Sequence, residues 1–218
     1  MTPPVCLLDL DGTLTNPFTG ISRSIEHALQ ILGFPVPEAE ALKAWIGPPL
    51  RSSFERYFNS NGGGDPDEAV RLYRERFANI GLFENIVYDG IPALLEDLHR
   101  NSIPLLVATS KPTVYAQRII RHFELEHWIE AVHGSELDGH NSDKSDLLGH
   151  ILEQWSLNPS DCVMVGDREF DMRAARQHKI AAIGVLWGYG SPLELLEAGA
   201  ETLVSTPAEL NRLLIDSI

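Results

Sequence analysis

Val5-Cys-Leu-Leu-Asp-Leu-Asp-Gly-Thr-Leu14 is a short apolar run that ends in two acids and a glycine. Such a run, with no polar alternation, fits a strand buried on both faces of a parallel sheet. Four more runs of this kind follow, at Pro104–Thr109, Ala131–His133, Cys162–Val165 and Ala181–Val185. Helical periodicity fills the intervals: Leu148, Ile151, Leu152 and Trp155 form one stripe, and Thr206-Pro207 opens a last helix carrying Leu210, Leu213 and Leu214. Strands that alternate with helices predict an α/β fold, a parallel sheet joined by crossover helices.

Residues 15–84 interrupt the alternation with helical patterns and no convincing strand, so they read as an inserted helical domain, with 1–14 and 85–218 as the core domain. Ile21, Ile25, Ala28, Leu29 and Leu32 mark one helix, stopped by Gly33 and Pro35. Asp65-Pro66 starts another, with Val70, Tyr73, Phe77 and Ile80 as its stripe, and Asn61-Gly-Gly-Gly64 is the loop before it. Trp45, Phe54, Tyr57 and Phe58 are expected to form the core of this insertion. The insertion carries a net charge of −2 and the remainder −12, so it is the less hostile part for an anionic ligand.

The composition, 44% hydrophobic and 22% charged over 218 residues, is that of an ordinary globular protein. A net charge of −14 argues against nucleic acid or an anionic membrane as partner. Cys6 and Cys162 sit in separate apolar runs and read as buried thiols of a reducing compartment. The first residues lack a basic region, and Asp9 breaks their apolar run, so neither signal peptide nor membrane span is expected and a cytoplasmic enzyme is. None of the eight histidines forms an HExxH pair, which argues against zinc.

Alternation at a strand end puts Asp9 and Asp11 on one side, at the carboxyl edge where open α/β sheets bind ligands. Val163-Met-Val-Gly-Asp-Arg-Glu-Phe-Asp171 repeats the arrangement, delivering Asp167 to that edge and Asp171 one helical turn on. Four converging acids repel one another unless a cation sits among them or some hold protons, and hard oxygen ligands suit Mg²⁺. Asp9, Asp11, Asp167 and Asp171 are therefore the candidate metal site.

DLDGT at 9–13, ATSK at 108–111, Lys144 and GDREFD at 166–171 together resemble the haloacid dehalogenase-like hydrolases, a likeness that covers essentially the whole chain. IGPPL, YDGIP and GVLWGYGS, with AGA beyond, are similar to the phosphoglycolate phosphatase and 5′-nucleotidase-like branches of that family. The resemblance implies a Rossmann-like core with a helical cap and a Mg²⁺-dependent phosphomonoesterase acting on a small phosphorylated metabolite. It implies Asp9 as nucleophile, Asp11 as general acid and base, Thr109 as phosphate-binding hydroxyl and Lys144 as the cation beside the nucleophile. Asp167 and Asp171 would hold the metal with Asp9 and the main-chain carbonyl of Asp11. Backbone donors of Gly12 and Ser110 would cradle the phosphate. Two features depart from the pattern: Lys144 stands in Asp143-Lys-Ser-Asp146, without the expected proline, and Ser110 replaces a frequent asparagine. Phosphoglycolate is the leading expected substrate, with Arg51 as the cation for its carboxylate, and a nucleoside monophosphate is the alternative. A phosphomutase, which would share the core motifs and be separated by product analysis, is a weaker alternative, and so is a non-catalytic binding protein, since all four acids are present. Gly188-Tyr-Gly-Ser191 reads as a turn after the fifth strand.

Overall fold

The computed structural model describes residues 4–216. The chain runs β1 (Val5–Leu8), β2 (Thr15–Asn16), α1 (Phe18–Ile31), α2 (Ala39–Lys43), α3 (Leu50–Ser60), α4 (Pro66–Phe77), β3 (Ile86–Val87) and α5 (Ile91–Arg100). It continues as β4 (Leu105–Pro112), α6 (Thr113–His122), β5 (Ala131–Ser135), α7 (Lys144–Gln154), β6 (Cys162–Gly166), α8 (Glu169–His178), β7 (Ala181–Val185), α9 (Pro192–Ala198), β8 (Thr202–Val204) and α10 (Pro207–Asp216). Six strands form a parallel sheet in the order β5-β4-β1-β6-β7-β8. The edge strand β8, only Thr-Leu-Val, has too little apolar signal to be found in the sequence.

The chain divides into two compact units, one comprising the chain up to Asn16 and from Val87 on, the other Pro17–Ile86. In the first, β1 is central: Leu8 is in register with Val107 of β4 on one side and Val165 of β6 on the other. The chain passes to β4 and β5 on one flank, then crosses to β6, β7 and β8 on the other, so the strand order reverses at β1. The crevice at the carboxyl ends of such a reversal is where open α/β sheets bind ligands. Leu7, Leu106, Met164 and Ala182 from four strands pack with Leu148, Ile151, Met172 and Ala175 of α7 and α8 in one buried cluster. Cys6 and Cys162 are both buried free thiols, pushed up to about 12 and about 11 first by burial, which leaves them inert at neutral pH.

The second unit is helical. Asp65 caps α4 by accepting from the N–H groups of Asp67 and Glu68, and Pro66 occupies the first turn, where its missing N–H costs nothing. Of the four aromatics expected in this core, Phe54 and Phe58 are buried, with Phe34 packed on Phe58, while Trp45, edge-on to Phe54, and Tyr57 are only partly buried at its margin. The expected stripe of α4 needs one correction: the helix ends at Phe77, and Ile80 lies beyond it, 54% exposed. Among the described residues no helix is long and apolar enough to cross a membrane.

Candidate active site

Asp9 follows Leu8 of β1 and stays in the sheet through its own N–H, which donates to the Val165 carbonyl at 2.9 Å. Asp167 follows the last residue of β6, and Asp171 lies in the first turn of α8. One carboxylate oxygen from each of Asp9, Asp167 and Asp171 falls within 4.8 Å of the others, and all three side chains are buried. Lys144 Nζ joins them, 2.7 Å from Asp9 Oδ1 and 2.8 Å from Asp171 Oδ1, and donates to the Ala108 carbonyl at 2.7 Å.

Local structure explains how Lys144 gets there. Asp143 caps α7 through the N–H groups of Ser145 and Asp146, which makes Lys144 the first helical residue. A cation at a helix N-terminus is opposed by the helix dipole, and the two aspartates outweigh that cost. Burial works to lower the Lys144 pKa, but Asp171 and Asp9 prevail and hold the ammonium charged above its usual range. The acids respond in the opposite sense. Burial first, then the charges of Asp9 and Asp171, raise Asp167 well above the usual carboxylate range. Burial, opposed by Lys144, pushes Asp171 up to about 6.

The fourth acid is placed differently from the expected four-way convergence. Among the described residues the close group has three members, and the Asp11 carboxylate turns instead to Lys111, Oδ2 to Nζ 2.7 Å. Burial raises the Asp11 pKa against the pull of Lys111. Thr109 is buried on β4, its hydroxyl accepting from the Lys111 N–H at 3.2 Å. Partly buried Ser110 accepts through its carbonyl from the Ser135 hydroxyl at 2.8 Å. The Gly12 N–H, expected to face a phosphate, is committed to the Thr15 carbonyl at 2.7 Å. What Gly12 supplies is space: its φ is +97°, and a Cβ there would stand 2.1 Å from Asp167 Oδ2.

Arg51 lies in the helical unit on α3, exposed, its guanidinium forked onto Asp67 at 2.7 and 3.2 Å with Glu55 at 3.6 Å. Its order there needs no ligand. Two features escaped the sequence reading. Lys111 was visible in ATSK, but nothing in the spacing indicated its partner. The segment after β7 reads from sequence as a turn, yet Trp187 Nε1 donates to the Thr13 carbonyl at 3.0 Å, and the Tyr189 N–H donates to Asp167 Oδ2 at 2.8 Å. Gly188 permits that approach, since a Cβ would meet Asp167 at 2.4 Å and the Gly12 carbonyl at 2.5 Å. Ser191 then caps α9 through the Glu194 N–H.

The residues fit a divalent cation. Asp167 Oδ1 is buried and accepts no hydrogen bond, and the three carboxylates face a single ammonium, leaving two negative charges uncompensated if all are ionised. Hard oxygen donors with room for water are the set that Mg²⁺ or a similar ion takes.

A family model described as haloacid dehalogenase-like hydrolase matches residues 6–185. A 5′-nucleotidase of Pseudomonas aeruginosa is 46% identical over 192 residues, 88% of this chain and 86% of that protein. The tyrosine-protein kinase PtkA of Mycobacterium tuberculosis is 37% identical, covering 97% of this chain and 72% of that one. A phosphoglycolate phosphatase of Mannheimia succiniciproducens is 26% identical over 94% of this chain and 96% of its own. Among solved structures, a predicted phosphatase from Clostridium acetobutylicum superposes with a TM-score of 0.93 at 39% identity, covering 99% of this chain and 100% of that one.

Proposed function

Because the chain belongs to the haloacid dehalogenase-like hydrolase family and is a phosphatase, we propose that it hydrolyses a phosphomonoester in two steps, through a phosphoryl group carried on Asp9. The observation that carries this reading is the Asp9 carboxylate between Lys144 and the acids of β6 and α8, with Asp11 held apart from them. Asp9 attacks phosphorus with a carboxylate oxygen while the ester oxygen leaves with the bonding pair and a proton from Asp11. Asp11, now ionised, takes a proton from water as that water attacks the phosphoryl group, and Asp9 is released as carboxylate. The products are an alcohol and inorganic phosphate. Lys144 offsets charge at the nucleophile, and the Thr109 hydroxyl is the candidate donor to a phosphoryl oxygen. A divalent cation held by Asp9, Asp167 and Asp171, Mg²⁺ by the chemistry of the donors, would supply the remaining positive charge that an anionic nucleophile needs to approach an anionic phosphate.

For the substrate we favour a nucleoside 5′-monophosphate over phosphoglycolate, reversing the order expected from sequence. The support is the 46% identity to a 5′-nucleotidase, against 26% for the phosphoglycolate phosphatase, together with the commitment of Arg51 to Asp67. Initial rates on nucleoside 5′-monophosphates and phosphoglycolate, each with Mg²⁺ and with a chelator, test both parts. A higher kcat/KM for a nucleotide and silence in chelator are expected. Preference for phosphoglycolate would restore Arg51 as its carboxylate ligand, and undiminished rates in chelator would overturn the metal reading.

A further inference from the structure

The ion pair between Lys111 and Asp11 is largely buried, with side chains 5% and 13% exposed, and lies outside the three-acid cluster. It joins β4 to the segment just past the adjacent strand β1, Lys111 standing two residues beyond Thr109 and Asp11 two beyond Asp9. The contact is one-sided: Nζ holds Oδ2, whereas Asp11 Oδ1 is buried and accepts no hydrogen bond. A carboxylate gripped by one oxygen has a fixed plane and one oxygen left for chemistry. Lysine is suited to this, because an ammonium is a point donor, while the guanidinium fork of arginine tends to take both oxygens of a carboxylate.

We propose that Lys111 is the positioning residue for the general acid and base, fixing Oδ2 so that Oδ1 is the atom that carries the proton. This rests on the assignment of Asp9 as nucleophile and Asp11 as acid. As the bond from Asp9 to phosphorus forms and the ester bond breaks, the leaving oxygen takes the bonding pair and the Oδ1 proton. Asp11 becomes a carboxylate at the moment when its ammonium partner is most favourable. In the second step the proton of the attacking water returns to Oδ1. Lys111 transfers no proton; it also keeps a fourth carboxylate from turning into the metal cluster, where a further negative charge would bind the cation without helping the leaving group.

Because kcat/KM reports the steps up to transfer onto Asp9, comparing leaving groups isolates the acid. Lys111→Met is measured on an alkyl phosphate, whose alkoxide needs a proton, and on p-nitrophenyl phosphate, whose phenolate does not. The loss on the alkyl ester is expected to exceed that on the nitrophenyl ester by about tenfold or more, within the 10²–10⁴-fold that general acid–base catalysis supplies. Equal losses would overturn the proposal and make Lys111 a contact for the substrate or a structural ion pair. Asp11→Asn is the parallel measurement. If it too falls equally on both esters, the acid assignment itself is wrong; if it is selective and Lys111→Met is not, only the role of Lys111 is. Should Lys111→Met lose its folded circular dichroism, Lys111→Gln, whose uncharged amide is one atom too short to hold Oδ2 in the same place, takes its place under the same criterion.

Discussion

Replacing Asp9 by Asn keeps the side-chain volume beside Lys144 but exchanges an anionic oxygen for an amide, a far poorer nucleophile. Asp9→Asn is expected to lose turnover while keeping its fold, read by phosphate release beside circular dichroism on a sample shown free of deamidation; turnover within tenfold of the parent, a rough margin for contaminating activity, would remove Asp9 from the mechanism. Gly188 is a second test at this scale. A Cβ there must displace either Asp167 or the Gly12 backbone, each closer than 3 Å by the distances above. Since a misplacement of about 1 Å at a catalytic group costs on the order of 10²-fold, Gly188→Ala should cut kcat by that order. An unchanged kcat would mean the loop yields without moving Asp167. The acids could be named from sequence because carboxylates placed directly after apolar runs, or one helical turn on, are themselves the signal, whereas Thr109 and Lys144 are named only through the family resemblance. Lys111 could not be assigned, because pairing depends on which strands are neighbours.

Helices α7 and α8 bring the site together through their N-terminal turns. Lys144 begins α7 and Asp171 lies in the first turn of α8, while His178, at the far end of α8, reaches back to the start of α7. Its Nε2 lies 2.8 Å from the Ser145 carbonyl, which can only accept, so this nitrogen carries the proton. Gly149 lies under the ring, where a Cβ would approach His178 Cε1 to 3.1 Å. His178→Ala removes one hydrogen bond, worth about 1 kcal/mol net, and is expected to lower Tm by about 2–4 °C for a chain of this size, with His178→Gln restoring most of it. A melt indistinguishable from the parent would show that packing alone joins the helices. The Asp143-Lys-Ser-Asp146 departure is explained at this scale: an Asp cap sets the helix start where the resemblance led one to expect a proline after the lysine.

The whole molecule concentrates its charge in the unit that holds the site, and folding buries acids there without enough protein cations to balance them. Asp167 and Asp171 both have raised folded pKa values, Asp171 at about 6. A raised carboxyl binds more protons folded than unfolded, so chelated protein loses stability as pH rises from about 4, the unfolded value, through the folded values. A bound divalent cation favours the ionised forms. The rise in Tm on adding Mg²⁺ should therefore be larger at about pH 7 than at about pH 5, and Asp167→Asn should raise the Tm of chelated protein while diminishing that rise. A rise independent of pH, or an Asp167→Asn protein weaker without metal, would show that the cluster is stabilised by something other than the cation. What the sequence determined by itself was local: five of the six sheet strands, the helical insertion and the acids at strand ends, because apolar runs, helical spacing and caps act between near neighbours in the chain. Tertiary structure decided what depends on which segments meet: that β1 lies between β4 and β6, that Asp11 faces Lys111 and leaves a cluster of three, and that Tyr189 closes on Asp167. Those contacts join residues 22 to 157 positions apart, and no periodicity in the chain encodes a distance across a sheet.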